Sequence, residues 1–118
     1  MLATKSTTLN IQQLEYIIAV DRFKNLRIAA DYCYVAEATL NSMIKKLEVQ
    51  LGIVLFTRVK KDVFTTEAGA EIIVEAKKIV HQSEVLAAIA KRIKGNLKDQ
   101  GQPVPSEMTE AELETLSI

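Results

Sequence analysis

The clearest hydrophobic pattern in the first half of the chain lies between residues 37 and 51. Apolar side chains recur there at intervals of four, three and four residues: Leu40, Ile44, Leu47 and Leu51. Polar or basic residues stand between them: Asn41, Ser42, Lys45 and Lys46. This spacing gives a helix one buried face and one exposed face. We therefore predict an amphipathic helix from about Glu37 to Leu51, ended by Gly52.

Two shorter helices are predicted before this one. The first begins after Asn10, a good N-cap that has Gln13 at the capping-box position, and it ends near Arg22. Asn25 caps the second, whose interior is expected to include Ile28.

Within the second helix, Leu26 is expected to enter the core with Ile28, while Arg27 faces outwards. Tyr34 and Val35 then make a turn, with Val35 buried between two helices. A short helix, a turn and a longer helix with a polar, partly basic face predict a helix-turn-helix, whose second helix lies in the major groove of DNA.

The next segment predicts a β-hairpin, or wing. Apolar and β-branched residues in 53–57 and 63–65 flank a polar tip formed by Lys60, Lys61 and Asp62. A long helix should follow from Thr66, because apolar residues recur every seven positions and small ones lie between them. These two rows are the predicted dimer interface: Ile72, Ala76, Ile79, Ser83, Leu86, Ala90 and Ile93.

The predicted architecture is mainly α, a winged helix-turn-helix followed by a long dimerisation helix. Its parts are a flexible leader (1–9), the winged domain (10–66), the long helix (67–94), and a linker with an acidic tail (95–118). In the tail, residues 109–116 could make two helical turns or stay disordered. The apolar runs are too short to span a membrane, and no secretion signal is evident, so a cytoplasmic protein is expected.

The charge distribution is uneven although the net charge is zero. Residues 1–66 carry nine Lys/Arg against six Asp/Glu, whereas residues 95–118 carry one lysine against five acids. A modestly basic front suits a polyanion such as DNA, but a neutral chain warns against strong binding.

The ordered set of motifs resembles the DNA-binding domain of LysR-type transcriptional regulators, within them the peroxide-sensing branch. The set comprises LEYIIAV, AAD…C…V, TLN..IKKLE..LG, LFTR and TTEAG, spread over residues 10–94. The resemblance implies transcriptional control through major-groove binding and a long dimerisation helix. The family usually has a C-terminal effector domain as well. The acidic tail does not resemble the start of one, so we expect a stand-alone protein rather than a truncated one.

The turn before the predicted recognition helix departs from the family. Ala36-Glu37-Ala38 stands where the family has Ser-Gln-Pro or Ser-Gln-Ser. Alanine cannot cap the helix, a loss of about 1 kcal/mol. Glu37 accepts hydrogen bonds only, so it either reads a cytosine amino group or discourages binding by repelling phosphate; both interpretations stay open.

Two function classes therefore remain. The favoured one is a dimeric regulator that reads an inverted repeat in double-stranded DNA. Its predicted contacts are Arg27, Glu37, Ala38, Thr39, Asn41, Ser42, Lys45, Arg58, Lys60 and Lys61. The alternative is a protein-interaction module of the same fold that forms heterodimers with related regulators and has weakened DNA binding.

Other chemistry is not expected. No catalytic set, phosphate-cradling glycine loop or metal-ligand cluster is visible, so no enzyme activity, metal or cofactor is predicted. Cys33 could be a redox sensor by analogy with the branch, but packing is favoured because no basic cluster adjoins it. His81 is expected to be an exposed helix residue.

Overall fold

The structure, a computed structural model, describes residues 8–60 and 62–101. The elements are α1 (Ile11–Phe23), α2 (Leu26–Cys33), α3 (Glu37–Leu51), β1 (Phe56–Val59), β2 (Asp62–Thr65) and α4 (Glu67–Asp99). This order confirms the mainly helical winged helix-turn-helix with a long helix after it. The predictions for most of the leader, for Lys61 and for the tail beyond residue 101 lie outside the described residues.

Local caps set the boundaries of the first three helices. The Asn10 side chain accepts from the Gln13 N–H, and the Gln13 side chain accepts from the Asn10 N–H, which completes the predicted capping box. Asn25 accepts from the Ile28 N–H at 2.9 Å and begins α2. Gly52, with φ +71°, ends α3 in the left-handed conformation that glycine adopts at no steric cost.

The core joins the three helices, the wing and the first turns of α4. Its members are Leu14, Tyr16, Ile17, Ala19, Val20, Ala29, Ala30, Leu40, Ile44, Leu47, Leu55, Phe56, Val63, Ile73 and Ala76. The expectation for Ile28 was wrong, because its side chain is 46% exposed. The small Ala29 and Ala30 form the buried face of α2 instead, and Val35 is half-buried against the core.

The wing is an antiparallel hairpin fixed to the helices at both strands. Phe56 pairs with Thr65 and Val59 with Asp62, as the polar-tip prediction required. The Glu48 carboxylate of α3 accepts from the N–H groups of Leu55 (2.8 Å) and Phe56 (3.2 Å).

The second strand is tied to the end of α1. Asp21 accepts from the Thr65 hydroxyl at 2.6 Å and from the Lys24 ammonium at 2.8 Å. The Val63 N–H donates to the Lys24 carbonyl at 3.1 Å. The hairpin is therefore held in a fixed position relative to α1 and α3.

α4 is longer than predicted. The expected linker from residue 95 is helical as far as Asp99, so Gly95 lies within the helix. A glycine costs a helix only about 1 kcal/mol relative to alanine, which does not stop one that continues on both sides. Gly101, two residues after the end of the helix, has φ +74°.

The chain divides into two compact units, with the boundary between His81 and Gln82 inside α4. In the first unit, Ile73 and Ala76 are buried. Ala76 packs in its own chain's core, which removes it from the surface that a partner could contact. Further along, Ile79, Leu86 and Ile93 are 45%, 66% and 46% exposed.

Candidate nucleic-acid interface

The exposed face of α3 carries most of the residues predicted to read DNA. Ala38, Thr39, Ser42 and Lys45 are exposed, and Asn41 is half-buried. The helix begins without a side-chain cap, because Ala36 at the N-cap makes no side-chain hydrogen bond. The expected loss of the cap is therefore confirmed.

A groove of about 440 Å³ brings together four of the predicted contact residues. It lies between the start of α2, the start of α3 and the wing. Its lining is Asn25, Leu26, Arg27, Ile28, Glu37, Arg58, Lys60 and Val63. Three cations and one carboxylate thus line the same groove. Ile28, which was expected in the core, is part of the groove lining.

A second, open groove of about 800 Å³ runs over the exposed face of α3. It joins the predicted Ala38, Asn41, Ser42 and Lys45 to residues that were not predicted as contacts: Gln13, Met43, Lys46, Val49 and Gln50. Lys46 could have been found from its place beside Lys45 on the polar face. Thr39 lines neither groove, and Lys61 lies outside the described residues.

Three of the predicted cations form no ion pair with an acidic side chain among residues 8–60 and 62–101. Ion pairs join Lys24 to Asp21 and Lys78 to Glu75. Arg27, Lys45 and Arg58 take part in neither. Their charges are therefore available to an external anion.

Three buried polar side-chain atoms lack a hydrogen-bond partner among residues 8–60 and 62–101: Asn41 Oδ1, Arg58 Nε and Arg58 Nη2. Such a group costs about 1–3 kcal/mol, more when it is charged. Both residues belong to the predicted DNA contacts, one on α3 and one on β1. These atoms have almost no accessible surface, so a phosphate oxygen at Arg58 or a base amino group at Asn41 would supply the missing partner only after the side chain turns outward.

Two glutamines connect the start of α1 to α3 by hydrogen bonds. The buried Gln13 side chain donates to Gln50 Oε1 at 3.1 Å, and the Gln50 amide donates to the Thr8 carbonyl at 2.9 Å. Sequence reasoning assigned Gln13 only its capping role. The partner on α3 is 37 residues away, and no local pattern marks such a contact.

Cys33 is half-buried against the core. Burial, and secondarily the negative charge of Glu15, raise the pKa of its thiol above the ordinary value of 9.0. A raised pKa keeps the sulfur protonated near neutral pH, where the thiolate is the reactive form. This favours the packing interpretation over the redox one.

Among the described residues, no group of three or more His, Cys, Asp or Glu could hold a metal ion. Likewise, no helix in that part of the chain is long and apolar enough to cross a membrane. His81 is exposed.

The fold and the two grooves define a winged helix-turn-helix domain of the bacterial regulator type. The chain belongs to the LysR family: the family model described as "Bacterial regulatory helix-turn-helix protein, lysR family" matches residues 11–70.

Proteins of similar sequence support this membership. The "Hydrogen peroxide-inducible genes activator" of Haemophilus influenzae is 37% identical over 82 residues, which cover 70% of this chain and 27% of the relative. The "DNA-binding transcriptional dual regulator OxyR" of Escherichia coli matches to the same extent. The chain thus spans about 27% of the length of these curated relatives.

Solved structures of the family share the fold. The BenM DNA-binding domain in complex with catB site 1 DNA has a TM-score of 0.71 at 30% identity, over 75% of this chain and 95% of that one. Full-length OxyR from Pseudomonas aeruginosa has a TM-score of 0.69 at 30% identity, over 72% of this chain and 29% of that one. The CbnR DNA-binding domain, also solved with DNA, has a TM-score of 0.70 at 26% identity, over 73% of this chain and 99% of that one.

Proposed function

We propose that the chain is a dimeric, sequence-specific DNA-binding transcriptional regulator. The observation that carries the proposal is the set of unsatisfied groups on α3 and the wing. Among residues 8–60 and 62–101, Arg27, Lys45 and Arg58 form no ion pair with an acidic side chain, and Asn41 and Arg58 hold polar atoms that gain a partner when their side chains turn outward. DNA supplies both kinds of missing partner, phosphate oxygens and base edges. The family relatives solved with DNA add to this support.

Each contact is assigned a role by its chemistry. Lys45 and Asn41 face the major groove from α3, and Asn41 reads one base edge. Arg27, Arg58 and Lys60 neutralise phosphates beside the first groove. Arg58 is suited to a phosphate because its planar guanidinium donates two parallel hydrogen bonds.

Glu37 has a defined place in this interface. It is the first residue of α3 and shares its groove with Arg27 and Arg58. An acid there weakens non-specific attraction to phosphate while still accepting from a cytosine amino group. On this proposal, Glu37 favours sites that place a cytosine opposite the start of α3.

The test is selection from a random duplex library, followed by fluorescence anisotropy on the enriched site at fixed low salt. Lys45→Ala should weaken binding and lower the slope of log K against log salt by about one. Asn41→Ala should relax preference at one base pair, by about 1–3 kcal/mol of discrimination. Lys78→Ala removes the same charge from α4, where its partner is Glu75, and serves as the matched control.

A library that enriches no sequence would overturn the proposal. It would favour the second candidate, a protein-interaction module of the same fold. The uncapped Ala36 and the exposed acid at Glu37 are the observations that speak for this candidate. It predicts that a pull-down with a full-length related regulator recovers a heterodimer.

The dimer is proposed through α4. Ile79, Leu86 and Ile93 recur every seven residues and are each about half exposed or more. Burying such a row against a second copy removes apolar surface from water at about 25 cal/mol per Å². Two recognition helices related by a two-fold axis would then read an inverted repeat.

A further inference from the structure

The second half of α4 carries a basic surface that the DNA-binding proposal does not use. Between residues 85 and 98 the chain holds four lysine or arginine residues and no acid. Lys91, Arg92 and Lys94 are exposed, and none of them forms an ion pair with a carboxylate of the described residues. The charges of Lys91, Arg92 and Lys94 are thus left without an acidic partner among the described residues.

Apolar side chains lie directly beside these cations. Leu97 lies three residues after Lys94, and Ala87 lies four residues before Lys91, so both are neighbours of the cations on the helix surface. Ala87 is exposed and Leu97 is half-buried, and neither belongs to the row proposed as the dimer interface. The surface therefore suits a ligand that combines carboxylates with apolar side chains.

The chain itself contains such a segment. Residues 107–116 read EMTEAELETL, with four glutamates among methionine, alanine and leucines, and no lysine or arginine occurs in residues 102–118. We propose that residues 107–116 bind the basic surface of α4 around Lys91 and Lys94 in the same chain. The inference stands apart from the proposed DNA binding, because it uses none of the α3 or wing residues.

The end of α4 is closed by backbone hydrogen bonds and is followed by a glycine. α4 ends at Asp99, and Gly101 follows in the left-handed conformation with φ +74°. The Gln100 and Gly101 N–H groups donate to the carbonyls of Asn96 and Lys98, both at 3.1 Å, which closes the end of the helix.

The linker between α4 and the acidic segment is long enough to reach the cations. The five residues 102–106 can span roughly 17 Å at about 3.4 Å each. Lys91 lies ten residues before Gly101, roughly 15 Å along a helix that rises about 1.5 Å per residue. The acidic segment can therefore reach the cations without any change in the helix.

The tether also favours the contact energetically. An exposed ion pair contributes only about 0.2–1 kcal/mol, and salt screens it. A short linker raises the effective concentration of the segment to the millimolar range, however, and several weak pairs then act together. The segment occupies cations that would otherwise attract phosphate, so polyanion binding is confined to α3 and the wing.

Paramagnetic relaxation measured by NMR tests the proposal on the full chain. A nitroxide on Ala111→Cys, in a Cys33→Ser background, leaves all four glutamates in place. We expect amide signals of residues 90–98 to lose intensity relative to the reduced label. The loss should diminish at 1 M salt, where the Debye length is about 3 Å. If Cys33→Ser disturbs the spectrum, Cys33→Ala supplies the background.

Charge reversal provides the matched comparison. Lys91→Glu with Lys94→Glu should abolish the signal loss, whereas Lys77→Glu with Lys78→Glu, the same change earlier on α4, should preserve it. No loss at residues 90–98, or loss on α3 instead, would overturn the proposal. The proposal would also be overturned if the signal loss appeared only in a mixture of two chains, one isotope-labelled without nitroxide and the other carrying the nitroxide. That result would show that a second copy supplies the segment.

Discussion

At the scale of single residues, the fold depends on a few close contacts that composition does not reveal. Gly69, in the first turn of α4, lies against the backbone of Leu55: a Cβ built on it would be 2.3 Å from the Leu55 carbonyl oxygen. The Thr66 hydroxyl accepts from the Gly69 N–H at 2.8 Å and donates to the Val54 carbonyl at 2.7 Å. The start of α4 therefore requires a residue without a side chain at this position.

Gly69→Ala is expected to destabilise the first unit. The added methyl group meets backbone atoms, which cannot move aside as a flexible side chain would, and overpacking of this kind costs about 1–3 kcal/mol. Urea denaturation at fixed protein concentration measures the free energy of unfolding. Gly95→Ala is the control: a Cβ there meets nothing within 4 Å, and alanine favours the helix by about 1 kcal/mol. Equal effects of the two substitutions would contradict the proposed close approach.

Asp21 gives the stability of the fold a dependence on pH. Burial alone would raise the pKa of its carboxyl, but hydrogen bonds from Lys24 and Thr65 and the charges of Lys24 and Lys77 outweigh burial and lower the pKa below 3.8. A lowered pKa stabilises the folded state above the unfolded-state value and loses that contribution as the pH falls through the folded value.

Asp21→Asn should therefore reduce the free energy of unfolding at neutral pH, by about 1 kcal/mol or less for so accessible a pair. The difference from the parent should shrink as the pH falls through and below 3.8, the ordinary pKa of the carboxyl. Urea denaturation over a pH series measures it. A difference that stays constant with pH would show that the charge of Asp21 does not contribute.

At the scale of elements, the wing is the part most dependent on contacts between distant residues. One carboxylate of α3, Glu48, holds both N–H groups at the start of β1. Hydrogen bonds to a charged group contribute about 1.5–3 kcal/mol in proteins, and an abandoned buried N–H costs a similar amount. Arg58 lies on the same strand, two residues after Phe56.

Glu48→Ala should lower the free energy of unfolding by about 1–3 kcal/mol and speed hydrogen exchange at the Leu55 and Phe56 amides. It should also weaken DNA binding through Arg58 without any direct contact of its own. Glu71→Ala removes an exposed acid from α4 and should do neither. Unchanged exchange at Leu55 and Phe56 in Glu48→Ala would show that the wing is positioned by other contacts.

The elements themselves follow largely from sequence patterns, because their causes are local. A few neighbouring residues determine each of three features: the capping box of Asn10 and Gln13, the period of α3 and the polar tip of the wing. Ile28 was misplaced because α2 is short and its small Ala29 and Ala30 give little periodicity. The end of α4 was misplaced at Gly95, since helix propensity is weak beside the residues that continue the helix on either side.

The candidate site could be predicted only in part. The exposed positions of α3 follow from its period, so Asn41 and Lys45 were accessible to sequence reasoning. The convergence of Arg27, Glu37 and Arg58 on one groove was not, because three elements contribute and no sequence spacing relates them. The same holds for the unsatisfied atoms of Asn41 and Arg58, which become visible only when the neighbours are in place.

At the scale of the whole molecule, the exposed apolar row of α4 is the feature that bears on the oligomeric state. Ile72 is half-buried and Ala76 is buried in the first unit, so the predicted interface is shorter than the heptad pattern indicated. The exposed members, from Ile79 to Ile93, fall on both sides of the boundary between the units. A second copy remains the occupant that the seven-residue period favours.

Leu86→Glu is expected to dissociate the proposed dimer. Leu86 is the most exposed member of the row, at 66%, so the substitution costs its own chain little, whereas a dimer would have to bury two carboxylates without partners. Analytical ultracentrifugation at micromolar concentration should show a dimer for the parent and a monomer for the variant. Ala88→Glu adds the same charge at an exposed position about 200° around the helix from Leu86 and should leave the dimer intact. A monomeric parent, or a Leu86→Glu variant that sediments like the parent, would contradict pairing through α4.

Loss of dimerisation should also weaken binding to an inverted repeat while leaving binding to a half-site unchanged, since only the full site requires two recognition helices at a fixed spacing.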